Sequence, residues 1–321
     1  MGGHHHHHHV DPDAGDARVF WAIVVNMALT VAQAVGGIFA GSLALIADAL
    51  HNFSDAVSLI IAFAARKIAR RPADESMTFG YGRAEVVAAL VNYTTLIVIG
   101  LYLAFEAVER FFDPQDVDGW LVVIIAVVAL VIDLVTAALT FAMSKSSMNI
   151  RAAFLHNVAD ALGSVAVIFA GTLILLYDWR LIDPAVTLLI AGYILWQSFA
   201  EIGGVIRILM LGSPPETRSM ELVEALRSVD GVADVHHVHF WQMQEHEVAL
   251  DAHLVIADEL WDKAERIRTQ ARDLLAERFD VAHTTFELER AGHACHNTQL
   301  IGHPREHAHD HAHGGHDDHG H

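Results

Sequence analysis

The sequence predicts a helical membrane protein of six transmembrane helices followed by a small cytoplasmic α+β domain. Three observations predict it. Of 321 residues, 53% are hydrophobic, and the mean hydropathy is +0.35. Six apolar segments, at 19–40, 43–65, 86–105, 119–143, 152–177 and 185–211, each reach the roughly 20 residues that cross about 30 Å of hydrocarbon. The formal net charge of -19 has no place inside such segments, so it falls in loops, in a polar terminal domain and in a tail.

Taken in order, residues 1–17 are a tag and N-terminal segment, because Met1-Gly2-Gly3 followed by six histidines reads as an expression tag. No cleavable signal is evident, and the first apolar run is long enough to remain as a span. Residues 18–212 form the six-helix domain. The loop after the second span carries Arg66, Lys67, Arg70, Arg71 and Arg83, and the loop after the fourth carries Lys145 and Arg151. The loop after the third is acidic, with Glu109, Asp113, Asp116 and Asp118 around Arg110. By the positive-inside rule the basic loops are cytoplasmic, and an even number of spans puts both termini there in a cell membrane. Ser213-Pro214-Pro215-Glu216 ends the last span, and the composition turns polar. Within 213–290 the periodicity predicts a helix over 216–228, strands over 233–242 and 247–256, a long amphipathic helix over 259–278 and a strand over 281–289. Residues 291–321, rich in His, Asp and Gly, read as a disordered His-rich tail. The single cysteine, Cys295, excludes an internal disulfide.

The chemistry is concentrated in two near-duplicate strings, His51-Asn52-Phe53-Ser54-Asp55 and His156-Asn157-Val158-Ala159-Asp160. Each sets a histidine and an aspartate four residues apart on one face of a helix inside a span. A charged side chain at the bilayer centre costs about 2.5–3.5 kcal/mol on insertion scales, so intramembrane ionisable residues are functional candidates by default. Two such helices facing each other supply two imidazoles and two carboxylates, a set that suits a tetrahedral divalent cation such as zinc. The carboxylates cancel the charge of the ion. Left close together by a departing metal they repel each other, so protons replace it. No Gly-x-x-x-x-Gly-Lys-Ser/Thr string is present to drive the exchange with ATP. A membrane-embedded zinc enzyme is the other class; it should carry a general base, as in His-Glu-x-x-His, and no such string occurs, so the chain is not expected to be an enzyme. Asp48, one turn before His51, reads either as a partner orienting that imidazole or as a polar cavity lining, and Asp133 as a proton relay or as a partner of a neighbouring Asn or Ser.

The twin His-x-x-x-Asp pairs on the second and fifth of six spans, the Phe79-Gly80-Tyr81-Gly82-Arg83-Ala84-Glu85 string opening the third, and the terminal α+β domain together resemble the cation diffusion facilitator family of zinc-proton antiporters. The resemblance covers nearly everything between the tag and the tail. It implies export of Zn²⁺ from the cytoplasm in exchange for protons, with His51, Asp55, His156 and Asp160 as the transport site. It also implies a metallochaperone-like fold for the terminal domain and a homodimer whose cytoplasmic domains meet at the axis. Divalent metal ions, protons and the lipid bilayer are the expected partners, and nucleic acid is not. Iron(II), manganese, cobalt or cadmium are the alternative cargoes.

In the terminal domain, similar transporters bind metal through the first histidine of a His-x-x-His-x-Trp stretch, a histidine one strand later, and a His and an acid near the last strand. Those positions fall on His236, His253, His283 and Glu289, with Glu287 able to substitute. Strand alternation by itself puts His237, His239 and Trp241 on one face and His236 on the other, and leaves packing or interface roles open for His237 and His239. His246 falls in a hairpin turn. A further site found in some relatives, an Asp with two histidines in the loop after the second span, is expected to be missing, because Met77 and Tyr81 accompany Asp74. Glycines 80 and 82 fit a tight turn there.

Overall fold

A computed structural model describes residues 27–144, 148–244, 247–295 and 299–302, the side chains of 59, 139–144 and 148–156 lying outside that description. The chain divides into two units, Met1–Ile206 and Arg207–His321.

The first unit is helical, with no strand among its described residues. Among the described residues α1 spans Met27–Ala40, followed by α2 (Leu43–Ala69), α3 (Ala84–Phe112), α4 (Gly119–Ser144), α5 (Met148–Tyr177) and α6 (Ile182–Leu209). Five of these, α2 to α6, are long and apolar enough to cross a membrane, and α1 is a shorter apolar helix that begins where the described residues begin. The first predicted span is thus described from Met27 onward, and its residues 19–26 lie outside the described ones, as do Lys145 and the side chain of Arg151. Small residues let the helices approach closely. A Cβ at Gly171 of α5 would stand 3.0 Å from Val122 and 2.9 Å from Val123 of α4, well inside van der Waals contact, so the glycine lets α4 and α5 pack tightly. The shared core draws Leu45, Leu103, Val122, Val167 and Ile194 from five different helices. Val98, Phe105, Val131, Leu162 and Phe169 stay exposed, as side chains facing lipid must.

Gly41 makes the sharp turn between α1 and α2 with φ +67°, and a Cβ there would stand 2.5 Å from the carbonyl oxygen of Asp116. Gly41→Ala therefore combines a left-handed backbone, worth about 1–2 kcal/mol, with a clash against backbone. A lowered thermal midpoint of the purified protein in detergent is the expected result.

The basic loop after α2 is built around Asp74. Its carboxylate accepts from the Ser76 and Met77 backbone N–H groups at 2.9 Å each, from Ser76 Oγ at 2.7 Å and from the Tyr81 hydroxyl at 2.7 Å. These bonds, led by that of Ser76 and then that of Tyr81, hold Asp74 well below the usual carboxylate range. Asp74 thus fastens the loop, and Gly80, with φ +75°, supplies the turn that returns Tyr81 to it.

The second unit contains α7 (Ser219–Arg227), β1 (Val232–Gln244), β2 (Glu247–Ile256), α8 (Ala264–Phe279) and β3 (Val281–Arg290). The predicted 259–278 helix opens instead as a 3₁₀ turn, Asp258–Lys263, and becomes α-helical at Ala264. The sheet order is β1-β2-β3, with β1 antiparallel and β3 parallel to β2. A parallel neighbour needs a crossover, and α8 provides it. Leu222 and Leu226 of α7 and Ile267, Ala271 and Leu275 of α8 pack with Val235, Leu250 and Leu254 of the sheet.

Two expectations are corrected here. The alternation predicted along β1 fails, because the register shifts between His236 and His239 and His237 takes φ +52°. A bulge of this kind inserts an unpaired residue and re-aims the side chains beside it. The chain after Arg290 is also not structureless throughout. Ala291–His293 form a 3₁₀ turn, and residues 299–302 run beside β1, where His237 N–H donates to the Gln299 carbonyl at 3.0 Å and Val238 N–H to that of Leu300 at 2.9 Å. Residues 303–321 lie outside the described ones.

Candidate metal centres

The intramembrane site is assembled by α2 and α5. Both strings fold as helix, since neither contains Gly or Pro, and the four-residue interval stacks His51 above Asp55. His51 Nε2 lies 3.7 Å from Asp55 Oδ2 on its own helix and 3.5 Å from Asp160 Oδ1 on α5. Four ligands at about 2.0–2.2 Å around a tetrahedral zinc stand roughly 3.3–3.6 Å from one another, so this spacing closes around an ion with little movement. His156 lies on α5, and its side chain falls outside the described residues. The Tyr193 ring of α6 meets the His51 ring edge-on, with centroids 6.5 Å apart, and walls the site on that side.

Behind His51 sits a polar chain that is only partly legible in the sequence. Asp48 is buried and accepts from Gln33 Nε2 at 2.5 Å, while Asn52 Nδ2 donates to Gln33 Oε1 at 3.1 Å. Gln33, wholly buried on α1, thus bridges two residues of α2, and nothing in its sequence surroundings marks it. Asp133 of α4 accepts from Ser164 Oγ of α5 at 2.9 Å, the neighbouring-serine alternative raised for it.

A second group lies in the terminal domain. His236, His253, Glu289 and Cys295 each bring one ligand atom within 4.8 Å of the others. Glu289 is their hub: its carboxylate stands 3.3 Å from His236 Nε2 and 2.6 Å from His253 Nδ1, and it accepts from the Cys295 backbone N–H at 3.0 Å. Burial opposes the charge of Glu289, yet hydrogen bonds from Cys295 and His253 together with His236 hold its carboxyl down at about 2. The hydrogen bond that the Cys295 thiol itself donates to Glu289 Oε1 at 3.1 Å pushes that thiol up from its ordinary value. Glu287 Oε2 reaches His253 Nε2 at 3.2 Å.

His283 is not part of this group, a correction to the expected quartet. In the parallel register His283 pairs with Ala249, whereas Glu287 pairs with His253. That places His283 four residues along the sheet from His253, about 13 Å at strand rise, and exposed. His237, expected on the face away from His236, instead has its ring 5.4 Å from that of His236 and 4.7 Å from that of His253, because of the bulge. His246 lies outside the described residues. Cys295 was not anticipated as a site residue, since it follows the last strand in a stretch without periodicity.

Residues 19–210 match the family description of the cation efflux transmembrane domain, and residues 214–291 match that of the cation efflux protein, cytoplasmic domain. The chain is 33% identical over 286 residues to a Bacillus subtilis protein named cadmium, cobalt and zinc/H(+)-K(+) antiporter, covering 88% of this chain and 92% of that one. It is 32% identical over 301 residues to the zinc transporter ZitB of Escherichia coli, covering 92% and 95%. It is also 32% identical to the metal cation efflux system protein CzcD of Cupriavidus metallidurans over 87% of this chain and 88% of that one. A multi-pass helical domain, a three-stranded α+β terminal domain and these matches over both identify the chain as a member of the cation diffusion facilitator family of metal efflux transporters.

Proposed function

We propose that the chain exports Zn²⁺ from the cytoplasm in exchange for protons, through a transport site made by His51, Asp55, His156 and Asp160. The observation that carries this reading is the convergence of His51, Asp55 and Asp160 from two apolar helices at spacings near a tetrahedral edge. Two imidazoles with two carboxylates form a set that zinc accepts and that leaves the loaded site close to neutral. Basic residues after α2 support a cytoplasmic position for that loop and hence for both termini. The family of the terminal domain is named for dimerisation, which supports a homodimer. That domain is also proposed to hold a resident Zn²⁺ on His236, His253 and Glu289, with Glu287 beside them.

The test is uptake into proteoliposomes enclosing a pH dye. Zinc entry accompanied by proton movement in the opposite direction is expected, and zinc flux without any proton signal would overturn the exchange. Relatives named for cadmium and cobalt favour one variant of the reading, a broader cargo through the same four ligands.

Selectivity can be tested at His51. An imidazole offers one nitrogen along a fixed axis, while a carboxylate binds through one or two oxygens and adapts to a larger ion. In competing uptake, His51→Asp should move the zinc-to-cadmium ratio toward unity. An unchanged ratio would assign selectivity to helix geometry.

A further inference from the structure

We infer that Cys295 is a thiolate ligand of the terminal-domain metal, so that the ion ties the segment after β3 to β1 and β2. This rests on the proposal that the domain holds a metal. Three features of the site carry it. Cys295 Sγ lies 3.1 Å from Glu289 Oε1, and the backbone N–H of the same residue donates to the other oxygen of that carboxylate at 3.0 Å, so the thiol is held over the site. His236 provides an independent pointer: its side chain is only 4% exposed, and Nε2 makes no hydrogen bond while facing the same carboxylate. A buried imidazole nitrogen left in that condition is costly unless something binds it. Finally, the four donor atoms come from three separate stretches of backbone and still fall within 4.8 Å of one another. Two imidazoles, one carboxylate and one thiolate make a four-coordinate shell of the kind zinc takes in closed sites, with Zn–S about 2.3 Å and Zn–N about 2.0–2.1 Å.

The path of the chain explains how a cysteine beyond the last strand reaches the site. The 3₁₀ turn Ala291–His293 follows β3 directly, and residues 299–302 dock along β1 at the bulge, on either side of Val238. Cys295 is suspended between these two attachments. The bulge also turns the His237 ring toward His236 and His253. A thiolate is a soft ligand, so the completed shell selects zinc and cadmium over manganese and magnesium. The transport site, built from imidazole and carboxylate alone, lacks that bias. Metal binding deprotonates the thiol, the proton leaving to solvent, and no redox change is involved.

Because Cys295 is the sole cysteine of the chain, any sulfur-to-metal charge-transfer band belongs to it. The full-length protein is titrated with Co²⁺, and spectra are compared among wild type, Cys295→Ser and His236→Ala. Wild type should show a sulfur-to-cobalt band together with the intense visible bands of tetrahedral cobalt. Cys295→Ser should lose the first, keep much of the second and bind more than about 100-fold more weakly, since even partners of a ligand are worth 10–100-fold. His236→Ala should lose both from this site. Tetrahedral bands sensitive to His236 without a sulfur band would overturn the cysteine assignment and leave the resident metal intact. A sulfur band that survives in His236→Ala would show Cys295 bound with other histidines and would also overturn it. No difference among the three proteins would remove the resident metal itself.

Discussion

Asp55→Ala and Asp160→Ala should each abolish zinc-driven proton flux in proteoliposomes. In the proposed transport site each removes one of the two negative charges that would offset the ion, and each opens one coordination position inside a low-dielectric span. The losses are not equivalent in cause. Asp55 shares α2 with His51, whereas Asp160 is the described group that brings α5 to within 3.5 Å of it. Losing a partner that merely orients a ligand costs 10–100-fold in metal affinity, so losing a ligand should exceed about 100-fold. Uptake at the level of protein-free vesicles, with the variants inserted and folded, is the expected outcome. Near-normal flux in either variant would show that the ion is carried elsewhere. Asp48→Asn separates ligand from neighbour: it leaves His51, Asp55 and Asp160 in place while altering the bond with Gln33 and the charge behind His51, so flux should fall without vanishing.

What could be read from the sequence follows the range of the physical signal. Spans are legible because hydrocarbon thickness imposes length and apolarity on each one separately, and the His-x-x-x-Asp pairs because a helical turn imposes four-residue spacing. Both signals are local. The terminal-domain quartet failed at His283 because its membership depends on register between β2 and β3, which no single strand specifies. The parallel pairing that sets Glu287 against His253 fixes His283 beside Ala249. The face assigned to His237 failed because one inserted residue inverts a period-two pattern from that point. Cys295 was invisible for a different reason. Its position comes from the docking of residues 299–302 onto β1, a contact between segments more than 60 residues apart with no hydrophobic periodicity to announce it. Gln33 is the same case within the membrane domain, a buried amide whose partners Asp48 and Asn52 lie one helix away.

Asp183→Ala should produce the largest loss of stability, and the reason lies at the end of the helix bundle away from the basic loop. Helices begin with backbone N–H groups that have no intrahelical partner, and in a membrane protein those groups cannot be left unmet. The start of α2 is met from two directions. Ser42 accepts from Leu45 N–H at 3.1 Å as an N-cap, which its place before an apolar helical run announces. The other partner arrives from α6: Asp183, 1% exposed, accepts from Leu43 N–H at 2.8 Å, from Ala44 N–H at 3.4 Å and from Ser42 Oγ at 2.5 Å. Negative charge at a helix N-terminus is favoured by the helix dipole. Arg110 of α3 completes the knot, lying 3.8 Å from Asp183 Oδ2 and donating to the Gly41 carbonyl at 2.6 Å. One carboxylate therefore fixes three helices, including the one that carries His51 and Asp55. Removing it leaves buried N–H donors of α2 unmet, which costs about 1–3 kcal/mol for each, and takes from the half-buried Arg110 guanidinium one of its two carboxylate neighbours, Glu106 staying 3.6 Å away. The expected readout is a large fall in thermal midpoint in detergent with a parallel fall in zinc flux. Because Arg110 and Asp183 lie within 3.8 Å of each other at the same helix end, Arg110→Ala combined with Asp183→Ala should be less damaging than the two single losses summed. Strict additivity would mean that the two residues act independently and that Asp183 serves α2 alone.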